Sequence, residues 1–269
     1  MIKTSIVFWV CLLTLVIYFL GSLSLSVKIV GIRTQKMAAT YSVYNLFFVL
    51  IRIANTLQAP MLSKTVETSI IEGEDPQIEI FYLVILMSTI GSIGGALLIP
   101  TIHRFMTSAV EKAHIQNSIL RIFYKAKPLV VYSHFRKSLK WPSYKNFQRL
   151  INLENLPIKI ISMNVIVSCL QTVSVLSCLY AGYLNPSLRS TCLSLNGFIL
   201  GISTLLSLLI TEPHIGILAD KVAFQGADEG YFRRYLSLVI LARILGTTLS
   251  IFFLEPISHI VVFLAQRIF

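Results

Sequence analysis

Six stretches of this chain, roughly residues 5–25, 38–59, 80–102, 160–183, 191–211 and 235–262, are long and apolar enough to cross a bilayer as helices. A hydrocarbon core of ~30 Å takes ~20 helical residues. Only structures that satisfy their own backbone hydrogen bonds persist inside it. The expected architecture is therefore all-α, a polytopic membrane helix bundle of about six transmembrane helices. Composition agrees: charged residues are 13% of the chain, where soluble domains carry roughly 25%. The first stretch follows Lys3, as a secretory signal would, but its apolar run is long and shows no clear small-x-small cleavage site. It reads as a retained helix.

Charge placement predicts orientation. Lys28, Arg33 and Lys36 follow the first stretch, eleven Lys or Arg lie in 104–159, and Lys221, Arg233 and Arg234 follow the fifth. These seventeen face four on the other side: Lys3, Lys64, Arg189 and Arg267. Because basic loops stay cytoplasmic, both termini are expected outside the cell, with Glu67, Glu72, Glu74, Asp75 and Glu79 facing out. The net charge of +11 is read as a topology signal that meets anionic lipid, with no nucleic-acid partner. The chain divides into a first three-helix half (1–103), a basic cytoplasmic segment (104–159) and a second three-helix half (160–269). The segment is expected to continue the third helix through Ile102, Phe105, Ala109, Ala113, Gln116, Leu120 and Phe123. Later, Tyr144, Phe147, Leu150 and Ile151 alternate with Lys145 and Arg149. Such basic amphipathic stretches lie in an anionic headgroup layer or bind a protein partner.

Three anchors link the halves at nearly constant offset. Arg33-Thr34 matches Arg189-Ser190, Ala59-Pro60 matches Glu212-Pro213, and Val84-Ile85-Leu86 with Gly91 matches Val239-Ile240-Leu241 with Gly246. An internal 3+3 repeat would leave this trace, and so would chance among apolar segments. With three spans per copy the second copy would be inverted, a recurrent transporter arrangement. Pro60, Pro100, Pro213 and Pro256 are expected near helix ends, where they would stop or kink a span.

Ionisable groups in hydrocarbon cost ~2.5–3.5 kcal/mol even on the lenient insertion scale. On the second span Tyr41, Asn45, Arg52, Asn55 and Thr56 form a polar stripe. Asn164, Ser168 and Gln171 do so on the fourth, Asn196, Ser203, Ser207 and Thr211 on the fifth, and Arg243, Thr247 and Ser250 on the sixth. The Ser and Thr residues read as interhelical hydrogen bonds. Arg52 and Arg243 lie roughly 10–12 Å deep, at the limit of snorkelling, and stay open between a snorkelling and a cavity role. Together the stripes could line a hydrophilic cavity with a cationic floor for an anion.

Catalytic and metal signatures are lacking. No Gly-rich phosphate loop, G-x-S-x-G or H-E-x-x-H is present, and no cofactor or metal is expected. Glu111 and His114 have the spacing of half a di-iron site with no second copy. Cys11, Cys169, Cys178 and Cys192 read as small apolar residues. Glu255 with His259 reads as an interfacial pair. Glu212, His214 and Asp220 read likewise, and they are the one cluster an interfacial membrane enzyme could use. The reading is a non-enzyme.

Ser26-Val27, Gly31-x-Arg33-Thr34, Ser42, Asn45, Arg52 and Ala54-Asn55-x-Leu57-Gln58-Ala59-Pro60 resemble the Amj family of alternate bacterial lipid II flippases. So, more loosely, do Arg189-Ser190-Thr191, Asn196-Gly197, Glu212-Pro213 and Ala219-Asp220. Glu212 departs conservatively from the Asp usual there. The resemblance implies movement of lipid II, the undecaprenyl-pyrophosphate-linked disaccharide-pentapeptide, from the inner to the outer leaflet of the bacterial cell membrane. Transport of another anionic small molecule or polyprenyl-linked lipid would use the same stripes. A scaffold would tolerate substitution of them. The candidate substrate contacts are Arg52, Arg243, Asn45, Asn55, Gln58, Arg33, Asn164, Gln171 and Asn196.

Overall fold

The computed structural model describes residues 2–116 and 156–267, with positions 133, 136 and 138 besides. Six helical segments in it are long and apolar enough to cross a membrane. The described residues contain no strand. The first span is Ile2–Thr34, the second Met37–Ile71, the third Ile78–Gln116, the fourth Ile158–Leu184 and the sixth Glu229–Arg267. The fifth is composite. A 3-10 turn (Pro186–Leu188) leads into helices Arg189–Ser194 and Asn196–Leu206, a π segment (Ser207–Thr211) and helix Glu212–Phe224. The π segment lies just ahead of Pro213, which has no N–H and crowds the carbonyl four residues back.

Helices outrun the apolar stretches by up to fourteen residues, since the backbone keeps its hydrogen bonds past the hydrocarbon. Lys28 and Arg33 consequently lie within the first helix and Lys221 within the fifth span, where a loop was expected. Pro60, Pro100 and Pro256 sit inside continuous helices, and only Pro213 begins one. Connections are tight. Gln35 takes a left-handed φ of 53° between the first two spans. The second span ends on Gly73 (φ 67°), with Gly73 N–H on the Ile70 carbonyl and Glu74 N–H on that of Ser69, a Schellman cap. The third helix continues to Gln116 as expected. The later basic amphipathic run lies outside the described residues, as do the side chains of Glu111 and His114.

Two helix pairs form the centre: the first span packs along the third, and the fourth along the sixth. Both meet through glycine. A Cβ on Gly91 would sit 2.5 Å from the Leu15 carbonyl oxygen, and one on Gly95 2.6 Å from that of Phe19 and 2.7 Å from Ser22 Cβ. A Cβ on Gly246 would sit 2.5 Å from the Val165 carbonyl oxygen and 2.7 Å from Ser168 Cβ. Small residues let membrane helices approach this closely. Gly95 and Gly246 repeat one contact, a carbonyl and a Ser Cβ three residues on. The second span packs mainly on the first, and the fifth mainly on the fourth, with lighter contacts to the first and sixth.

Packing is apolar toward both ends. Val10, Leu62, Phe81, Ile85, Val173 and Leu254 form a buried cluster at the end carrying Glu67 and Glu74, the acidic end. Leu25, Ile29, Ile215, Phe232, Tyr235 and Leu236 form another at the opposite, basic end. All four cysteines are free and buried, in keeping with their reading as apolar filler. Most hydroxyls bond within their own helix: Ser203, Thr247 and Ser250 donate to carbonyls three residues back, and Thr172 four back. For Ser203, Thr247 and Ser250 that local alternative takes the place of the interhelical bonds expected of them.

Candidate functional site: a polar seam on the first span

Thr14, Tyr18, Gly21 and Lys28 recur at four, three and seven residues and so share one face of the first span. Each meets a polar partner from another span. Thr14 accepts a hydrogen bond from Gln58 Nε2 at 2.5 Å. Tyr18 donates to Thr172 Oγ1 of the fourth span at 3.0 Å. The Gly21 carbonyl accepts from Arg243 Nη1 at 3.2 Å, and the guanidinium lies over the Tyr18 ring, 6.0 Å from its centroid. Lys28 Nζ lies 2.7 Å from Glu212 Oε2 and 5.1 Å from the centroid of the Tyr44 ring. From Thr14 to Lys28 the seam runs about 21 Å at 1.5 Å per residue.

The absence of a side chain at Gly21 makes room for Arg243: a Cβ there would come within 2.5 Å of Nη2. Among the described residues no carboxylate lies within ion-pair distance of Arg243. Lys28 is neutralised but deeply placed, 9% exposed against 36% for Glu212. Beside it lies a recess lined by Lys28 of the first span, Thr40, Tyr41 and Tyr44 of the second, and Ile215, Gly216 and Ala219 of the fifth. It is shallow and open to the outside, with enclosed room for about one water. Tyr44 is within electrostatic reach of both Glu212 and Arg243.

The sequence-derived candidates divide. Arg243 and Gln58 lie on the seam. Asn164 is buried and accepts from Ser168 at 3.4 Å within its own helix, and Gln171, half-buried, adjoins the Thr172 that meets Tyr18. Asn196 is half-buried, its Oδ1 enclosed without a hydrogen-bond partner. Arg52, Asn45 and Asn55 are exposed on the open side of the second span. Arg52 stacks on Phe48 of its own helix, 4.9 Å from the ring centroid, and has no carboxylate within reach among the described residues. Arg33 is not on the seam. Its Nε pairs with Glu229 Oε1 at 2.6 Å at the basic end, joining the first and sixth spans. At the acidic end Arg189 Nη2 pairs with Glu67 Oε1 at 2.6 Å, joining the fifth and second.

Lys28, Tyr18, Thr14 and Tyr44 were absent from the sequence-derived set. For the first three the signal was the spacing on the first span, hidden because Lys28 was assigned to a loop; Tyr44, on the second span, had no such signal. The trio Glu212, His214 and Asp220 does not assemble. Glu212 binds Lys28, His214 packs edge-on against Tyr235 with centroids 5.1 Å apart, and Asp220 is exposed. No group of three His, Cys, Asp or Glu that could hold a metal occurs among the described residues. Glu255 instead accepts from Tyr82 at 2.9 Å, and His259 is exposed.

Comparison with known proteins bears on the whole of this arrangement. No solved structure matches the chain. The Lipid II flippase Amj of Bacillus subtilis (strain 168) is 26% identical over 272 residues, covering 98% of both chains. The model of a family described as Alternate to MurJ matches residues 13–265, which include the seam and reach into all six spans. This chain belongs to that family, Amj.

Proposed function

We propose that this protein is a lipid II flippase, carrying the undecaprenyl-pyrophosphate-linked precursor of peptidoglycan from the inner to the outer leaflet of the bacterial cell membrane. The observation that carries the reading is the end-to-end likeness to a relative named Lipid II flippase. The physical demands of the task fit the seam. A polyprenyl tail can stay in lipid while a charged, hydroxyl-rich head needs a polar path with cations for its pyrophosphate. Arg243 supplies a guanidinium free of acidic partners among the described residues, and Arg52 a second one on the exposed side of the second span. We take them as successive pyrophosphate contacts.

The orientation comes from the distribution of basic residues: termini outside, Lys28 and Arg33 toward the cytoplasm. The halves 1–103 and 160–269 act as inverted copies joined by the basic segment 104–159, which rests on anionic lipid. The matching contacts at Gly95 and Gly246 support this. With the cell interior negative, outward movement of an anion is favoured by ~2.3 kcal/mol per charge per 100 mV, so the reading requires no nucleotide site. The test is complementation. Expressed in cells depleted of every other lipid II flippase, the protein restores growth and outer-leaflet lipid II. Stable, membrane-inserted protein that restores neither overturns the proposal.

A further inference from the structure

We infer that Lys28, with Arg243 behind it, is a diphosphate-binding subsite at the basic end, and that Glu212 is a built-in counter-ion which the diphosphate displaces. The inference deepens the flippase reading and rests on it for the source of the diphosphate.

The ion pair is lopsided in burial and in support. Lys28 sits on the closely packed first span, between the buried residues Val27 and Ile29, and is 9% exposed. A buried ammonium without an anion is strongly disfavoured, so the charged Lys28 favours states in which an anion accompanies it. Glu212 is 36% exposed and belongs to the span with the least burial, directly after the π segment. It can swing into water at low cost, whereas Lys28 cannot. The anion is therefore the exchangeable member.

Charge and shape indicate the replacement. With Glu212 in place the cluster of Lys28, Glu212 and Arg243 carries one net positive charge, and with Glu212 withdrawn it carries two. A diphosphate diester carries two negative charges. Arg243 gives one hydrogen bond to the Gly21 carbonyl among the described residues, and its five-donor fork has further N–H groups to offer. Tyr44 stands within electrostatic reach of Arg243 and Glu212 and forms a wall of the recess. Gly21 and Lys28 lie on one helix face about 10 Å apart along the axis, a gap two long side chains can close around one ligand. A diphosphate entering past Tyr41 and Gly216 meets Lys28, which lines the recess, and Arg243 stands farther along the same seam at Gly21. The recess opens to the outside beside Lys28, so withdrawal of Glu212 exposes the ammonium to the diphosphate while the remainder of the headgroup stays outside.

The experiment measures binding of farnesyl diphosphate to the full-length protein in nanodiscs of zwitterionic lipid, with inorganic pyrophosphate and farnesol as comparisons. Lys28→Gln is expected to weaken farnesyl diphosphate binding at least tenfold. Glu212→Gln, which removes the competitor, is expected to tighten it at least threefold and to enlarge the thermal stabilisation the ligand gives. Opposite signs are the signature. A pair that only braces the fold would move both variants the same way, and that result, or an unchanged affinity in Glu212→Gln, overturns the subsite. If Lys28→Gln does not fold, tightening by both Glu212→Gln and Glu212→Ala remains required. Farnesyl diphosphate binding at least tenfold tighter than pyrophosphate identifies a lipid-linked head, and equal affinities overturn that assignment. Divergent variants in a protein that fails complementation would sink the flippase reading alone. A complementing protein whose variants do not diverge would sink the subsite alone.

Discussion

The four central spans and the two outlying ones are built on different terms. In their most apolar windows the fourth and sixth spans are 50% and 44% buried, while the second and fifth are 17% and 11% buried. The central pairs meet where Gly91, Gly95 and Gly246 let backbone touch backbone. On the fifth span Gly197, Gly201 and Gly216 face open space, and the second exposes Asn45, Arg52 and Asn55. The same residue type thus fastens one region and leaves the other unencumbered. The polar seam runs between them, with its cations anchored on central spans and several of its partners (Gln58, Tyr44, Glu212) supplied by outlying ones. A transporter needs this division, because a fixed frame gives a movable wall something to move against.

The contrast can be broken by substitution. Gly246→Ala should cost about 1–3 kcal/mol, the usual range for overpacking, read as a lower unfolding temperature in detergent. An unchanged temperature would mean the central pairs are looser than drawn. Arg243→Gln, at wild-type abundance, should lower outer-leaflet lipid II at least tenfold, equivalent to about 1.4 kcal/mol. Gly21→Ala should mimic it by pushing the guanidinium aside. Normal transport by both would remove Arg243 from the path. Gly201→Ala should leave stability unchanged or raise it by up to ~1 kcal/mol through helix propensity, and a loss would show that the fifth span packs more tightly than its exposure implies. Tyr18→Phe, which removes the bond to Thr172, should cost about 0.6 kcal/mol, seen as a small shift in the same melts. Arg33→Gln should be smaller still, below ~0.5 kcal/mol and vanishing at high salt, since both partners of that ion pair are more than a third exposed.

Hydropathy made the six spans legible because an apolar run of bilayer length has few alternatives to a helix. It placed their ends badly. Lys28 and Arg33 follow the first apolar run, yet a helix need not stop where hydrocarbon does. That error hid the site's main cation and, with it, the spacing of Thr14, Tyr18, Gly21 and Lys28. The polar stripe on the second span was visible at Arg52 and Asn55, but periodicity reports a shared face and not what covers it. Arg243 was visible as a charge out of place. Its dependence on Gly21 was not, because 222 residues separate the two and no local rule joins them. Pro60, Pro100 and Pro256 misled for the opposite reason. The rule that proline ends a helix reflects the cost of one lost bond in water, and neighbouring groups in a membrane bundle can make that loss tolerable.

The π segment at Ser207–Thr211 sets the angular phase of the helix that begins at Glu212. Such a turn accommodates one residue more than an α-turn, so the residues beyond it are rotated by about 100° relative to an uninterrupted α-helix. Glu212 is the first residue to feel that offset. Running the same residues as an uninterrupted α-helix would keep every charge and all the hydropathy of the chain, yet turn the carboxylate away from Lys28. The pairing of these two residues is thus encoded in how this stretch winds as much as in side-chain identity.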